Sequence, residues 1–380
     1  MRLLLLTIDF PPARGGVQNL LARLAAGLSE TDPVTVVTPA MAGDRDWDGR
    51  QPFAVIRSWP LRRGRLAVAA LCARALVEVV RRRPAVIVCG HVLLGPLCRT
   101  IRSVFGIPYV AMAYAYEIRA PRMRSIAGVA LRGASRVVTI SEFSRRAVEA
   151  HGVAAPAITV IRPGAVVPGA VVPGDVVPGD AVTALRPATS GRRVLLSVGR
   201  LVDAYKGHDM VIRALPLILA KTPDTEYVIV GDGPLRPYLE RLAASLGVAS
   251  AVCFVGQVGD DELDAWYRAC DVFVLASRES DVSGGAEGYG IVFVEASLRG
   301  KPVVGGRSGG IPDAVIDGET GLLVDPSDPA DIAEAITRLL TERDLADRLG
   351  RGGQRRVVDD LSWPAYTERF SRVLAEAVAG

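Results

Sequence analysis

Short apolar runs and helix-period stretches alternate along the first half of the chain. The runs Leu3–Ile8, Val34–Thr38, Ala85–Cys89, Pro108–Met112 and Arg136–Ile140 read as strands. Val17–Leu28, Leu66–Arg82 and Glu142–Ala150 carry the spacing of amphipathic helices, the last with Ser141 as its N-cap. Continuous apolar strands separated by helices predict a parallel sheet covered on both faces. The alternation restarts at Arg193. Arg193–Val198, Glu226–Val230, Val252–Val255, Val272–Ala276 and Pro302–Gly305 read as strands. Met210–Ala220, Leu235–Leu246, Leu263–Ala269, Ile291–Leu298 and Asp331–Leu340 read as helices. A final helix runs to Val378 after Trp363-Pro364-Ala365-Tyr366.

Between the halves, Val-Val-Pro-Gly recurs at 166, 171 and 176. Pro-Gly at this density favours turns over regular elements. The expected organisation is therefore an α/β protein of two Rossmann-like, doubly wound domains. Residues 1–165 form the first, 166–190 a repeat linker and 191–363 the second. Ligands of such folds bind at the carboxyl ends of the strands, here in a cleft between the two domains. A chain of 380 residues also exceeds what one core usually supports.

Composition narrows the function. Hydrophobic residues make up 49% and charged residues 23%, as in a soluble globular protein. The most apolar helical stretch is broken by Arg74 and Glu78, so no membrane span is expected. The opening Met1–Asp9 turns acidic too soon for a signal peptide. Cys72, Cys89, Cys98, Cys253 and Cys270 form no paired or zinc-type spacing and suit free thiols in a reducing cytoplasm. Three histidines leave little for a metal cluster. Residues 1–180 hold 23 arginines against 12 acids, a net of +11, while the remainder is at −7. The basic half suits an anionic partner: nucleic acid, an anionic membrane or a phosphorylated substrate.

Four loops carry candidate chemistry. In Asp9–Gln18, Gly15 and Gly16 stand at a helix start, where backbone N–H groups and the helix dipole favour an anion. The spacing is not G-x-G-x-x-G, so the nicotinamide fingerprint is missing. In Ser197–Asp209, Arg200 and Lys206 could neutralise a diphosphate and stabilise it as it leaves. Lys206 is one of only three lysines. In Glu287–Ala296, two carboxylates stand eight positions apart around Gly288 and Gly290. The N–H groups of Gly290, Ile291 and Val292 could hold phosphate oxygens, and Glu295 the hydroxyls of a ribose. Gly231-Asp232-Gly233 reads chiefly as a tight turn that could wall a base pocket.

Taken in chain order, Gly15-Gly16, Gly199-Arg200…Lys206-Gly207, Gly231-Asp232-Gly233 and Glu287-x7-Glu295 resemble the retaining family 4 glycosyltransferases of GT-B fold. The resemblance covers the chain outside the repeats. The Asp9-Phe10-Pro11-Pro12 opening and Asp281–Gly288 look nearest to the phosphatidylinositol mannosyltransferase branch. It implies transfer of a hexose from a GDP- or UDP-sugar to a hydroxyl acceptor, with retention, front-face attack and no metal or other cofactor. Arg200, Lys206, Glu287 and Tyr114 would be catalytic. Gly15, Gly16, Gly231, Gly290, Ile291, Val292 and Glu295 would bind the donor. The implied acceptor is a small molecule or a lipid-linked sugar, with no nucleic-acid partner. Arg62-Arg63 and Arg81-Arg82-Arg83 would touch the cytoplasmic face of a membrane. His91, Tyr116, Glu117 and Arg119 are the acceptor-side candidates. The family often has His-Gly-x-Glu where this chain reads Tyr114-Ala115-Tyr116-Glu117, so Tyr114 stands at a catalytic-site histidine's position. A phenol donates a hydrogen bond but carries no positive charge at neutral pH. The resemblance also implies that the final helix, 364–380, packs on the first domain. Two alternatives stay open: a pseudo-glycosyltransferase that couples a cyclitol, and a nucleotide-sugar-binding protein without turnover.

Overall fold

The computed structural model describes residues 1–13, 15–58, 65–165, 191–280 and 285–380. The Val-Val-Pro-Gly repeats, Arg62-Arg63 and the first four residues of the Asp281–Gly288 segment lie outside the described residues. The chain divides into two compact units, Met1–Pro163 with Trp363–Gly380, and Gly164–Ser362.

The first unit is built on seven parallel strands: β1 (Leu3–Leu6), β2 (Val34–Thr38), β3 (Ala54–Arg57), β4 (Val86–Cys89), β5 (Tyr109–Ala113), β6 (Arg136–Thr139) and β7 (Ile158–Val160). Their order is β3-β2-β1-β4-β5-β6-β7. β1, β2, β4 and β5 are buried at every position, which is why they read as unbroken apolar runs. The order reverses between β1 and β4, where the loops after these two strands diverge and leave a crevice. Ser141 caps the helix Glu142–Glu149, its Oγ accepting from the Ser144 N–H at 3.1 Å. The last helix, Trp363–Ala379, belongs to this unit. It meets the helix Gly16–Ser29 so closely that a Cβ on Gly27 would lie 2.4 Å from Thr367 Oγ1.

The second unit repeats the plan with six parallel strands: β8 (Arg193–Val198), β9 (Thr225–Val230), β10 (Val252–Gly256), β11 (Val272–Leu275), β12 (Val303–Gly306) and β13 (Leu322–Val324). The order is β10-β9-β8-β11-β12-β13, with its reversal between β8 and β11. Leu195, Ile212, Tyr227, Val274 and Ile336 are fully buried in the core that joins sheet and helices.

Several elements depart from the apolar pattern. β3, β7 and β13 are sheet edges of three or four residues, too short for periodicity to register. The helices Gly95–Phe105, Arg124–Gly133 and Arg343–Asp360 carry glycines that ordinarily argue against helix. Packing explains two of them. A Cβ on Gly95 would fall 2.0 Å from that of Ala130, and one on Gly350 would fall 2.2 Å from the Gly300 carbonyl oxygen. β5 and β12 each begin one residue later than the pattern suggests. Pro108 and Pro302 have no N–H for the ladder, and only their carbonyls join it, accepting from Ile87 and Phe273. Among the described residues no helix is long and apolar enough to cross a membrane.

Candidate active site

In the second unit the chain leaving β8 forms a short turn, Ala204–Lys206, ended by Gly207 at φ +78°. A Cβ on Gly207 would lie 1.8 Å from the Ala276 carbonyl oxygen, so only glycine lets this turn rest on the segment leaving β11. Two hydrogen bonds fasten the contact: Ser277 Oγ to the Lys206 carbonyl at 3.3 Å and the Arg278 N–H to the Tyr205 carbonyl at 2.8 Å. Arg278 also forks onto the Asp209 carboxylate, both bonds at 3.0 Å. Lys206 is thereby held at the switch point of the sheet.

Its Nζ donates to Glu287 Oε2 at 2.5 Å, with 17% and 16% of the two side chains exposed. Burial alone would lower the Lys206 pKa, but the Glu287 charge and hydrogen bond, with Tyr205, outweigh it and the pKa rises. Lys206 is a fixed cation at neutral pH. Its ammonium also lies 5.4 Å from the centre of the Tyr205 ring. Arg200 is exposed, has no hydrogen-bond or ion-pair partner among the described residues, and is near enough to push the Lys206 pKa down.

Beneath the turn is a buried polar chain. Ser197 Oγ donates to the Val274 carbonyl, so it accepts from Tyr227 OH, 2.8 Å away. Tyr227 in turn accepts from His208 Nδ1 at 3.2 Å. Burial and the Lys206 charge push the His208 pKa down to about 3, so the ring is neutral.

Glu287 is fixed from behind. Its carbonyl accepts the Gly310 N–H at 2.8 Å, and a Cβ on Gly309 (φ +58°) would fall 2.5 Å from that oxygen. The helix Ile291–Leu298 starts after Gly290 (φ +94°) with no side-chain cap. Among the described residues no acceptor meets the N–H groups of Ile291 and Val292. Glu295 accepts from Tyr267 OH at 2.8 Å, and Arg299 binds the Glu295 carbonyl and the Asp264 carboxylate. Gly231 is placed differently. Its N–H is spent on the Gly256 carbonyl at 2.8 Å, and a Cβ there would stand 2.0 Å from the Gly199 carbonyl oxygen at φ +136°. It locks the loops after β8, β9 and β10 together.

In the first unit the switch point lies between Asp9, after β1, and His91, after β4. Gly15 is extended, and a Cβ there would meet only the flexible end of Gln18. Gly16 begins the helix Gly16–Ser29 and is exposed. Gln18 Nε2 donates to Asp9 Oδ1 at 3.2 Å. His91 Nδ1 accepts the Leu93 N–H at 3.1 Å, and its Nε2 faces Asp9 Oδ2 at 4.0 Å. Burial lowers the His91 pKa against the raising effect of Asp9.

Tyr114 is buried, and its hydroxyl donates to the Gly90 carbonyl at 3.1 Å. Burial raises the phenol's pKa well above its ordinary value, so it stays protonated. Its proton is committed to the backbone next to His91. Glu117 is buried too and accepts the N–H groups of Tyr114 (2.7 Å) and Ala115 (3.4 Å), while burial raises its pKa. Tyr116 is exposed and accepts from Arg122, and the Arg119 guanidinium stands 4.7 Å from the centre of the Phe143 ring.

The structure thus brings Arg200, Lys206, Glu287 and the Gly290–Val292 turn to one end of the second sheet, with Glu295 further along the same helix. It brings Gly15, Gly16 and His91 to the switch point of the first. Sequence reasoning passed over Asp9 and Gln18 as functional side chains and Gly309-Gly310 as the support of Glu287. A second Gly-Gly at a strand end was the available signal for that support.

Comparison with known proteins accounts for both halves. Residues 15–164 match the family described as Glycosyl transferase 4-like domain, and residues 186–356 that described as Glycosyl transferases group 1. The chain is 34% identical, over 98% of both chains, to a GDP-mannose-dependent alpha-(1-6)-phosphatidylinositol monomannoside mannosyltransferase of Mycolicibacterium smegmatis. It is 34% identical to a D-inositol 3-phosphate glycosyltransferase of Thermomonospora curvata over 64% of this chain and 58% of the relative. Among solved structures it resembles sucrose-phosphate synthase of Thermosynechococcus elongatus (TM-score 0.83, 21% identity, 100% and 99% of the chains). It also resembles Anabaena Alr3699/HepE with UDP-glucose (TM-score 0.81, 21% identity, 99% of both). Two doubly wound parallel-sheet units, the ordered motifs and a full-length relative at this identity agree: the chain belongs to the family 4 glycosyltransferases of GT-B fold, and it is a glycosyltransferase that uses a nucleotide sugar.

Proposed function

We propose that this enzyme transfers mannose from GDP-mannose to a hydroxyl of a phosphatidylinositol-based glycolipid, with retention and without a metal. The observation that carries the reading is the partly buried Lys206 ammonium at the switch point of the second unit, with the open N–H groups of Ile291 and Val292 and the unpaired Arg200 as further donors. Fixed cations and helix-start N–H groups supply what a leaving diphosphate needs, since charge-assisted bonds in a partly dry site are strong. The full-length mannosyltransferase relative supports the choice of sugar and base.

In the reaction the acceptor oxygen attacks the anomeric carbon on the face from which the diphosphate departs. The bond from that carbon to the phosphate oxygen breaks, the bond to the acceptor oxygen forms, and the acceptor's proton passes to the departing phosphate. Lys206 and Arg200 hold the charge that develops. Glu287, freed from Lys206 when the diphosphate takes its place, faces the hydroxyls of the sugar. Glu295, aimed by Tyr267, accepts from the ribose.

The lipid acceptor also fits the first unit's surface. The helix Arg65–Arg82 exposes Leu66, Val77 and Val80 on its outer side, and Arg81 and Arg83 stand at its end. An apolar stripe with flanking cations suits peripheral contact with an anionic membrane.

The test is a transfer assay with GDP-mannose and phosphatidylinositol monomannoside in EDTA. An α-linked dimannoside, identified by its anomeric NMR signal, is the expected product. A β-linked product refutes retention. Activity only after added divalent cation refutes metal independence.

A further inference from the structure

The Asp9–His91 pair is too far apart to bond directly and too close to ignore. His91 Nδ1 is occupied as acceptor of the Leu93 N–H, so the neutral ring carries its hydrogen on Nε2. That N–H faces Asp9 Oδ2 across 4.0 Å. Asp9 Oδ1 is already taken by Gln18 Nε2, and Oδ2 has no hydrogen-bond partner among the described residues. A donor and an acceptor therefore look at each other across a gap that no hydrogen bond spans.

One oxygen fits there. Bonds of about 2.8 Å to each side of a 4.0 Å gap meet at roughly 90–100°, close to the angle between a hydroxyl's donor and acceptor directions. Such an oxygen must both accept and donate. A hydroxyl qualifies, whereas a phosphate oxygen, which cannot donate when ionised, is repelled by Asp9.

The gap is rigid. Gly90 N–H donates to the Leu6 carbonyl at 2.8 Å, Tyr114 OH to the Gly90 carbonyl, and Cys89 Sγ to the His91 carbonyl at 3.4 Å. The Asp9 N–H is fixed by Thr7 Oγ1 at 3.0 Å. The pair also sits on the strand-order reversal, where doubly wound sheets bind ligands.

We propose that Asp9 and His91 form the holder of the acceptor hydroxyl: His91 Nε2–H donates to the acceptor oxygen and Asp9 Oδ2 accepts from it. This rests on the glycosyl-transfer reading and assigns the acceptor end of that reaction. Tyr114 becomes a positioning residue, acting on His91 through the Gly90 carbonyl.

Asp9→Asn and His91→Phe test the pair. Because Gln18 holds the Asp9 oxygen, the amide NH2 of Asp9→Asn stands where Oδ2 stood and cannot accept. With phosphatidylinositol monomannoside as acceptor probe, each variant is expected to raise the acceptor KM by about 10–100-fold, the scale of one charged hydrogen bond. The GDP Kd and the KM for GDP-mannose stay within about twofold of the parent. Should Asp9→Asn fail to fold, His91→Phe carries the test alone, since it removes the donor and keeps the ring. Unchanged acceptor KM in the folded variants overturns the proposal and leaves the gap to a water. Parallel loss of GDP affinity overturns it by placing the pair on the donor. If the parent enzyme binds GDP and transfers mannose, failure of the pair leaves the transferase reading standing. If the parent binds no GDP, the transferase reading falls first and takes the proposal with it.

Discussion

The two units share a plan and differ at their switch points. In the second, the facing charges touch: Lys206 and Glu287 meet at 2.5 Å. In the first, His91 and Asp9 stand 4.0 Å apart. A touching pair is built for displacement. On the proposed function, the carboxylate holds the place of a stronger anion and keeps a partly buried ammonium charged until a diphosphate arrives. A spaced pair is built for insertion, because it has room for one neutral oxygen and charge balance before and after. The contrast follows from the ligands proposed for each, a dianionic leaving group and an uncharged hydroxyl.

The comparison breaks most readily at Lys206. Lys206→Ala is expected to lower kcat by at least about 10²–10³-fold, the scale of losing one donor to a developing anion. Unchanged turnover in a steady-state assay would remove Lys206 from the site.

A smaller effect concerns the scaffold under the closed pair. The folded His208 keeps a pKa of about 3 against 6.5 for an unperturbed ring. Below pH 6.5 the unfolded chain takes a proton that the folded chain does not. Stability therefore falls as pH drops from 6.5 toward 3, by about 3 kcal/mol at pH 4.5. Urea midpoints at pH 7 and 4.5 should show this loss in the parent and a smaller one in His208→Gln. Equal losses would mean that His208 is protonated in the fold.

Glu287→Gln sharpens the displacement idea, because two readouts move in opposite directions. Removing the competing charge should tighten GDP by about 3–10-fold, while kcat falls because the carboxylate facing the sugar is gone. Weaker GDP binding would show that Glu287 supports the diphosphate and does not compete with it.

The smallest change is expected for Tyr114→Phe. Losing one neutral hydrogen bond to the Gly90 carbonyl should raise the acceptor KM by about 2–10-fold and leave the GDP Kd unchanged. A large fall in kcat with an unchanged acceptor KM would restore a direct catalytic role to the phenol.

Much of this was legible in the chain. The strands of both sheet centres are four to six residues of apolar sequence, buried on both faces, and the pattern finds them. What escaped it were edges and contacts. β3, β7 and β13 are too short to show a period. The helix Arg343–Asp360 hides behind Gly350, Gly352 and Gly353: the backbone of another segment crosses the first two, and the third faces the Ser297 side chain. At the site, Arg200, Lys206 and Glu287 were visible as charge next to glycine at strand ends. Gly231 was visible too, but its part in a backbone clamp depends on which loops meet it. Asp9 and His91 are 82 positions apart, and only strand order makes them neighbours.

The most direct test of the central claim is calorimetric titration of the enzyme and its Lys206→Ala and Asp9→Asn variants with GDP in EDTA. The account predicts tight GDP binding without metal in the parent, near-complete loss in Lys206→Ala and parental affinity in Asp9→Asn. No binding by the parent, or equal loss in both variants, would contradict a division of labour between the two switch points.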